Sequence, residues 1–195
     1  MFDHIQLQRE IFAALTQGDE KIVNQVADGR CRVCEDGPLH RSDYARKPSG
    51  ALLAAAGEEF VMRFSLCCGR EGCRKRATPP SLRFLGRRVY LGAVVIMASI
   101  VAQATMSAEA TRKATGVPAR TTRRWLSWWR SVFLRTDVFV ALRARLIGVS
   151  VEEVPKSIVE QLVGTPAERV AGMLKWLMPL TTGTGIGLLM LRDVA

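Results

Sequence analysis

The placement of the five cysteines constrains this 195-residue chain more than any other feature, because all five lie between residues 31 and 73. Cys31 and Cys34 form a C-x-x-C pair, and Cys68 and Cys73 form a second close pair. Two such pairs separated by a loop are the ligand pattern of a zinc ribbon, since thiolates suit Zn²⁺ and four of them fill its tetrahedral shell. The spacing therefore predicts a structural zinc ion held by Cys31, Cys34, Cys68 and Cys73.

The second pair leaves an alternative open, because Cys67 and Cys68 are adjacent. Neighbouring residues of a strand point to opposite faces, and Cys68 shares its face with four apolar residues, Phe60, Met62, Phe64 and Leu66. We therefore favour Cys68 over Cys67, and His40 is a further alternative ligand. Metal-free buried thiols and redox chemistry at the C-x-x-C are the other interpretations. Redox chemistry would need a thioredoxin-like βαβ pattern, which the sequence lacks.

Positive charge is concentrated in the middle of the chain. The total is +10, from 28 Lys and Arg against 18 Asp and Glu. Residues 30–90 carry 13 basic and 6 acidic side chains, residues 91–149 carry 9 and 2, and both flanking segments are mildly acidic. A basic middle between acidic ends indicates a polyanion-binding region, with duplex DNA as the first candidate and RNA as the alternative.

The segment from Val89 to Ala108 contains 20 residues without a charge. We expect a helix buried at the centre of the domain, and a membrane span is the alternative. Because the N-terminus shows no basic run followed by an apolar core, we expect no signal peptide. Together with the odd number of cysteines, this favours a reducing, cytoplasmic location without membrane association.

Residues 108–133 follow a helix, turn, helix pattern. Gly116 permits a left-handed turn conformation, Val117 is expected to be a buried plug, and Pro118 suits the start of the second helix. At 100° per residue the second helix has one apolar face, formed by Thr122, Trp125, Leu126, Trp129, Val132 and Phe133. Two residues depart from the usual helix-turn-helix pattern: Arg112 stands where a small residue is usual, and Thr115 stands where Leu is frequent.

The opposite face of this second helix is basic and rich in hydroxyl groups. Its residues are Arg120, Thr121, Arg123, Arg124, Ser127, Arg130 and Ser131. Arginines can bind guanine edges or phosphates in the major groove, and residues near the start of a recognition helix reach bases most directly. We therefore predict that Arg120, Thr121, Arg123 and Arg124 contact DNA, together with Ser127 and Arg130. The alternative is a solvated basic face on a packing helix.

Further helices are predicted on both sides of these two regions. Residues 4–26 are typical of an amphipathic helix, with Asp3 as its cap and a break near residues 17–19. Residues 137–147, 151–162 and 166–178 also favour helices, with Asp137 and Thr165 as caps. The glycine-rich run at 181–187 lacks the spacing of a dinucleotide-binding loop, and we expect a flexible connection there.

Two parts of the chain resemble the DNA-binding regions of bacterial insertion-sequence transposases. The two cysteine pairs, residues 39–48 and the basic run Arg74-Lys75-Arg76 are similar to their zinc-ribbon portions, and residues 120–125 look like their homeodomain-like helix-turn-helix. The block from Arg63 to Tyr90 also looks like uncharacterised bacterial proteins of mobile elements. The resemblance covers about residues 30–135 and implies binding of DNA ends or promoters, with Arg74, Lys75 and Arg76 contacting phosphates.

These observations predict a mainly α fold with a small β zinc-ribbon-like module. The expected segments are an N-terminal helix (1–29), the zinc module (30–88), a homeodomain-like helix-turn-helix domain (89–135) and C-terminal helices (136–195). The three-carboxylate catalytic domain of transposases has no counterpart in the pattern, and we expect no enzyme activity. The predicted function is zinc-stabilised reading of duplex DNA, associated with a mobile element or with transcription regulation.

Partners expected from this function are duplex DNA, a recombinase, transposase or transcription protein, and a second copy of the chain as a homodimer. The alternative function is a protein-interaction adaptor of a mobile-element or defence system whose basic face is incidental. A small nucleic-acid enzyme is a third interpretation.

Overall fold

A computed structural model describes residues 9–46, 58–85, 91–105 and 107–181. The helices in these ranges are α1 (Arg9–Ala27), α2 (Gly92–Thr105), α3 (Ala108–Thr115), α4 (Ala119–Ser131), α5 (Asp137–Arg143), α6 (Lys156–Gln161) and α7 (Pro166–Leu177). The strands are β1 (Leu39–Arg41), β2 (Tyr44–Ala45), β3 (Met62–Arg63), β4 (Leu66–Cys68) and β5 (Arg76–Ala77). The described chain is thus mainly helical with small antiparallel sheets, which confirms the predicted fold class at this level.

The strands form two small sheets beside the helices. Strand β4 lies between β1 and β5, so that His40 and Arg76 both pair with Cys67. Strands β2 and β3 form a separate antiparallel pair. We call residues 30–46 and 58–77 the cysteine module. Its own core is small, with Val23 of α1 and five module residues buried in it: Cys31, Leu39, Phe64, Leu66 and Cys68.

A larger core is built around α2. Every residue from Gly92 to Ile100 is buried, because α3, α4, α6 and α7 all pack on this helix. This confirms the prediction of a buried central helix. None of the helices in the described ranges is long and apolar enough to cross a membrane. The larger core also includes Phe12 and Leu15 of α1 and Phe60, so α1 contributes to both cores.

The predicted break in α1 is wrong. The helix continues through Gly18 and Asp19 to Ala27. Asp19 is buried in spite of its charge, since its carboxylate accepts hydrogen bonds from residues 81–83. The helix is therefore held at this point by tertiary contacts that local propensity does not reveal. Asp3, the predicted cap, lies outside the described residues.

The C-terminal helices differ from the predictions in their caps and lengths. Thr136, and not Asp137, caps α5, because its Oγ1 accepts a hydrogen bond from the backbone N–H of Phe139. Thr165 caps α7 as predicted and forms a reciprocal capping box with Glu168. Helix α5 ends at Arg143, and residues 151–162 divide into a short 3₁₀ turn and α6. Of the glycine-rich run at 181–187, only Thr181 is described.

Candidate metal centre and basic helix face

The Sγ atoms of Cys31, Cys34, Cys68 and Cys73 all lie within 4.8 Å of one another. The distance is 3.8 Å between Cys31 and Cys73 and 3.7 Å between Cys34 and Cys68. These four thiols form a group that can hold a metal ion, as the spacing predicted. Within the described ranges, no other cluster of three or more Cys, His, Asp or Glu side chains is arranged in this way.

Backbone pairing brings the two cysteine pairs together. The first pair follows α1 and leads into β1, whereas the second pair starts at the end of β4. Because β1 and β4 are antiparallel neighbours, Leu39 lies opposite Cys68. Two further hydrogen bonds close the loops: the N–H of Cys31 donates to the carbonyl of Gly37 (2.9 Å), and the N–H of Gly69 donates to that of Pro38 (2.8 Å). The thiols therefore converge through main-chain contacts.

The two cysteine loops share an unusual backbone feature. Glu35 (φ 59°) and Arg74 (φ 45°) each follow the second cysteine of a pair, and both adopt the left-handed conformation. This conformation costs a non-glycine residue about 1–2 kcal/mol, so the surrounding contacts must impose it. In the second loop, the backbone N–H of Arg70 donates to Sγ of Cys68 at 3.4 Å. The left-handed turns after the second cysteines direct further main-chain donors to sulfur, since Cys34 accepts from the backbone N–H groups of Asp36 and Gly37 and Cys73 accepts from that of Lys75.

Gly37 allows the backbone to pass close to the thiols. A Cβ atom at this position would overlap Sγ of Cys68 and would lie 3.1 Å from Sγ of Cys34. Glycine is therefore required here by a close approach of main chain and sulfur. Sequence reasoning missed this residue, although a glycine three positions after a C-x-x-C pair was an available signal.

The four thiols have unequal environments. Backbone N–H groups of Asp36 and Gly37 lower the pKa of Cys34 to about 6, because they stabilise its thiolate. Burial raises the pKa of Cys68 to about 12, because desolvation disfavours the charged form. Hydrogen bonds from its own loop likewise lower the pKa of Cys31. The first cysteine loop therefore favours the thiolate form, whereas burial of Cys68 disfavours it.

The alternative ligands lie outside the group. Cys67 has its Sγ 3.4 Å from the carbonyl oxygen of Arg74, and His40 is exposed on β1 opposite Cys67. The choice of Cys68 over Cys67 agrees with the structure.

The polar residues Arg63 and Ser65, which alternate with the apolar residues of this segment, are also buried. Strand alternation alone would not predict their burial. Arg63 donates to the carbonyl of Pro79 (2.5 Å), and the N–H of Ser65 donates to Asp43 (2.9 Å).

Helices α3 and α4 are joined by the three-residue turn that the sequence predicts. Gly116 ends α3 in the left-handed conformation (φ 66°), and Val117 is fully buried. Trp129 fixes α4 against α2, because its Nε1 donates to Oγ of Ser99 at 3.0 Å. Thr122, Trp125 and Phe133 are buried as predicted and Leu126 is half-buried.

Val132 does not belong to the apolar face, since 52% of it is exposed. Helix α4 ends at Ser131 and the 3₁₀ turn Phe133–Arg135 follows, but Val132 between them keeps helical backbone angles and donates its N–H to the carbonyl of Trp128 at 3.0 Å. The exposure of Val132 is therefore set by the packing at the end of α4, which helical periodicity does not reveal.

The predicted basic face of α4 is on the surface. Arg120, Arg123, Arg124, Ser127 and Arg130 are exposed, and Thr121 is half-buried. The helix contains no acidic residue. In the described part of the chain, Arg120, Arg123 and Arg124 form no ion pair. Arg130 differs from them, because its Nε donates to the carbonyl of Glu152 at 3.3 Å.

The two residues that depart from the usual pattern are accommodated locally. Arg112 is exposed and pairs with Glu109 one turn earlier, at 2.6 Å. The Thr115 hydroxyl donates to the carbonyl of Thr111 and accepts from the N–H of Val117. A buried threonine thereby satisfies its own hydroxyl where leucine is usual.

The basic run of the cysteine module lies beside the thiol group. Arg74 and Lys75 are exposed, and their carbonyl oxygens face Cys67 and the N–H of Cys68. The Arg76 side chain is bound to the module, because Nη1 donates to Ser42 (2.8 Å) and to Ser65 (2.7 Å). Its guanidinium also lies 5.2 Å from the ring centroid of Tyr44.

No protein-family model, curated protein or solved structure matches this chain. The resemblance to transposase DNA-binding regions, the homeodomain-like core and the segment boundaries therefore stay predictions.

Proposed function

We propose that this chain is a zinc-stabilised protein that binds duplex DNA through the basic face of α4. The observation that carries the proposal is the exposed face of Arg120, Arg123, Arg124 and Ser127, on a helix without acidic residues. Trp125 and Trp129 hold the opposite face in the core, so the arginines project from a rigid support. This is the arrangement that major-groove recognition by a helix requires.

Zinc is the metal that best suits the four thiols. A tetrahedral ion with Zn–S bonds of about 2.3 Å requires sulfur–sulfur distances of about 3.8 Å. Two of the six distances, 3.7 and 3.8 Å, agree with this geometry, and all six are within 4.8 Å. Four thiolates leave no open coordination position, so the ion is structural and supplies stability. Zinc binding contributes on the order of 10–16 kcal/mol in zinc-finger peptides, which suits a module with so small a core.

The basic residues have different roles in this proposal. Arg120, Thr121, Arg123 and Arg124 lie in the first half of α4 and read base edges. Ser127 and Arg130 contact the DNA backbone further along the helix. Arg74, Lys75 and Arg76 add phosphate contacts from the cysteine module. The biological context is a mobile element or transcription regulation.

The direct test measures binding of zinc-loaded protein to labelled duplex DNA over a series of salt concentrations. Neutralising about six phosphates would give a slope of about −5 for log affinity against log salt. The triple variant Arg120→Ala, Arg123→Ala, Arg124→Ala should lose most of the affinity. The control removes the same charge from exposed positions outside α4, by changing Arg135, Arg143 and Arg145 to Ala. Salt-independent binding, or equal losses in both variants, contradicts the proposal.

Selection of bound oligonucleotides from a random duplex pool then tests base reading. An enriched motif supports recognition by the first half of α4, and a palindromic motif indicates that two copies bind together. If no motif is enriched, the protein contacts only the DNA backbone. The same assay with single-stranded and duplex RNA of matched length determines which polyanion is preferred.

A second candidate is a protein-interaction adaptor, favoured by exposed apolar side chains in the C-terminal helical region. Val140, Ile147 and Val163 are 62%, 91% and 94% exposed. The α4 triple variant separates the two functions. An adaptor would keep its partner, a recombinase, a transposase or a transcription protein, when these arginines are removed.

A further inference from the structure

The two cores of this protein meet at a buried polar boundary. Helix α1 crosses this boundary, with Phe12, Leu15 and Ile22 in the larger core and Val23 in the smaller one. Asp19 lies on the same helix and is only 1% exposed. A carboxylate in this position is stable only when its charge and its hydrogen-bonding capacity are satisfied.

Asp19 is satisfied by three consecutive residues of the segment that leaves the cysteine module. Its carboxylate accepts hydrogen bonds from Oγ of Ser81 (2.7 Å), the backbone N–H of Leu82 (2.5 Å) and Nε of Arg83 (2.8 Å). We call these four residues the Asp19 network. It attaches α1 to the segment between the module and α2.

Arg83 connects the network to both cores. Its Nη1 donates to the carbonyl of Phe60 at 2.9 Å. Its guanidinium lies 4.5 Å from the ring centroid of Phe64, in the smaller core, and 5.3 Å from that of Phe84, in the larger core. Nη2 is also buried, and it has no hydrogen-bond partner among the described residues. The buried charge of Arg83 therefore depends on Asp19 and on the two rings that cover it.

The network also reaches the helices that support α4. The backbone N–H of Gly92, the first residue of α2, donates to the carbonyl of Arg83 at 2.6 Å. The backbone N–H of Ser81 donates to Oγ1 of Thr181 at 2.9 Å, beyond the end of α7. Because α3, α4 and α7 pack on α2, a displacement of residues 81–83 would also displace the helix that supports α4.

We propose that the Asp19 network couples metal occupancy of the cysteine module to the order of the helical core. The inference rests on metal binding by the four thiols, as proposed above. Without the ion, Phe64 depends on the small core of the module, whereas Phe60 stays packed in the larger core. Phe64 then no longer covers Arg83, and the buried ion pair between Asp19 and Arg83 becomes less favourable. The helical core therefore responds to a metal that none of its helices binds.

Two spectroscopic signals report the two parts separately. All four tryptophans lie in α4 and α7, at positions 125, 128, 129 and 176, so tryptophan fluorescence reports the helical core. Co²⁺ in place of the native ion gives a thiolate charge-transfer absorption that reports the module. In the wild-type chain, we expect loss of Co²⁺ and the tryptophan transition to coincide on heating. Chelation should lower the midpoint of the tryptophan transition.

The variant Asp19→Asn should still bind one Co²⁺ but lose more than half of the metal-dependent shift in the tryptophan midpoint. Ser81→Ala removes a single donor and tests the same coupling if Asp19→Asn does not fold. The control is Glu10→Gln, an exposed carboxylate change on the same helix, which should keep the full shift.

Two results would overturn the coupling while leaving the metal site intact. One is a wild-type tryptophan midpoint that is unchanged by chelation. The other is a full metal-dependent shift in Ser81→Ala together with a full shift in any folded Asp19→Asn protein. Absence of the Co²⁺ absorption in the wild-type chain would overturn the metal site itself and the coupling with it.

Discussion

The carboxylate of Asp19 lies 2.8 Å from Nε of Arg83, and both side chains are almost completely buried. The next residue, Glu20, forms an ion pair of similar length with Arg41 (3.0 Å), but this pair is exposed to solvent. The two pairs lie on one helix but differ in burial and in their other contacts, since Asp19 also accepts from Ser81 and Leu82, and Arg41 also pairs with Asp43 at 2.7 Å.

Asp19→Ala should lower the free energy of unfolding by about 3–5 kcal/mol, because it leaves the charge of Arg83 buried and unpaired. Glu20→Ala should lower it by about 0–1 kcal/mol, the usual range for an exposed pair. Urea unfolding of the metal-loaded protein, followed by circular dichroism, measures both. Equal effects of the two changes would contradict the structural role assigned to Asp19.

Cys68→Ser should remove a metal ligand, whereas Cys67→Ser should not. We expect the loss of affinity in Cys68→Ser to exceed the roughly 10–100-fold effect of removing an outer-shell partner. Zinc affinity is measured by competition with a chromophoric chelator, and native mass spectrometry gives the stoichiometry. A Cys67→Ser protein that fails to bind zinc would show that the wrong member of the adjacent pair has been assigned.

Gly37→Ala should weaken metal binding, because the added methyl group would overlap Sγ of Cys68. An effect of roughly 10–100-fold is expected, comparable with other changes next to a metal ligand. Gly172→Ala is the control, since its Cβ would meet Leu162 at an ordinary 3.4 Å. That control should leave metal binding unchanged and stabilise α7 by up to about 1 kcal/mol. Unaltered zinc affinity in Gly37→Ala would refute the close approach of the Gly37 backbone to Sγ of Cys68.

Thr136→Ala should destabilise the protein by about 1 kcal/mol, because Thr136 caps α5. Asp137→Asn should have a smaller effect of roughly 0.3 kcal/mol, since Asp137 contributes only its charge near the helix N-terminus. Thermal unfolding at low ionic strength compares the two variants. A larger loss of stability in Asp137→Asn than in Thr136→Ala would indicate that Asp137 is the cap.

Local chemistry was enough to predict several features of this fold. The spacing of Cys31–Cys34 and Cys68–Cys73 indicated a metal site because thiolate ligands come in close pairs. The chain around Gly116 and Thr165 predicted a turn and a cap, since both depend on a few neighbouring residues. An uncharged run of helical length predicted the buried helix α2, because this pattern also lies within one continuous stretch of the chain.

The remaining features depend on residues far apart in the chain, and only the tertiary structure determined them. Asp19 is a helix residue, not a break, because residues 81–83 supply its hydrogen-bond donors more than 60 positions later. Gly37 is required because β1–β4 pairing brings Cys68 against it. Periodicity could not exclude Val132 from the core, because its backbone is still helical and only the packing at the end of α4 leaves it exposed. Sequence patterns thus identified the residues suited to a metal site and a basic helix face, while long-range packing placed the buried pair Asp19–Arg83 between the two cores.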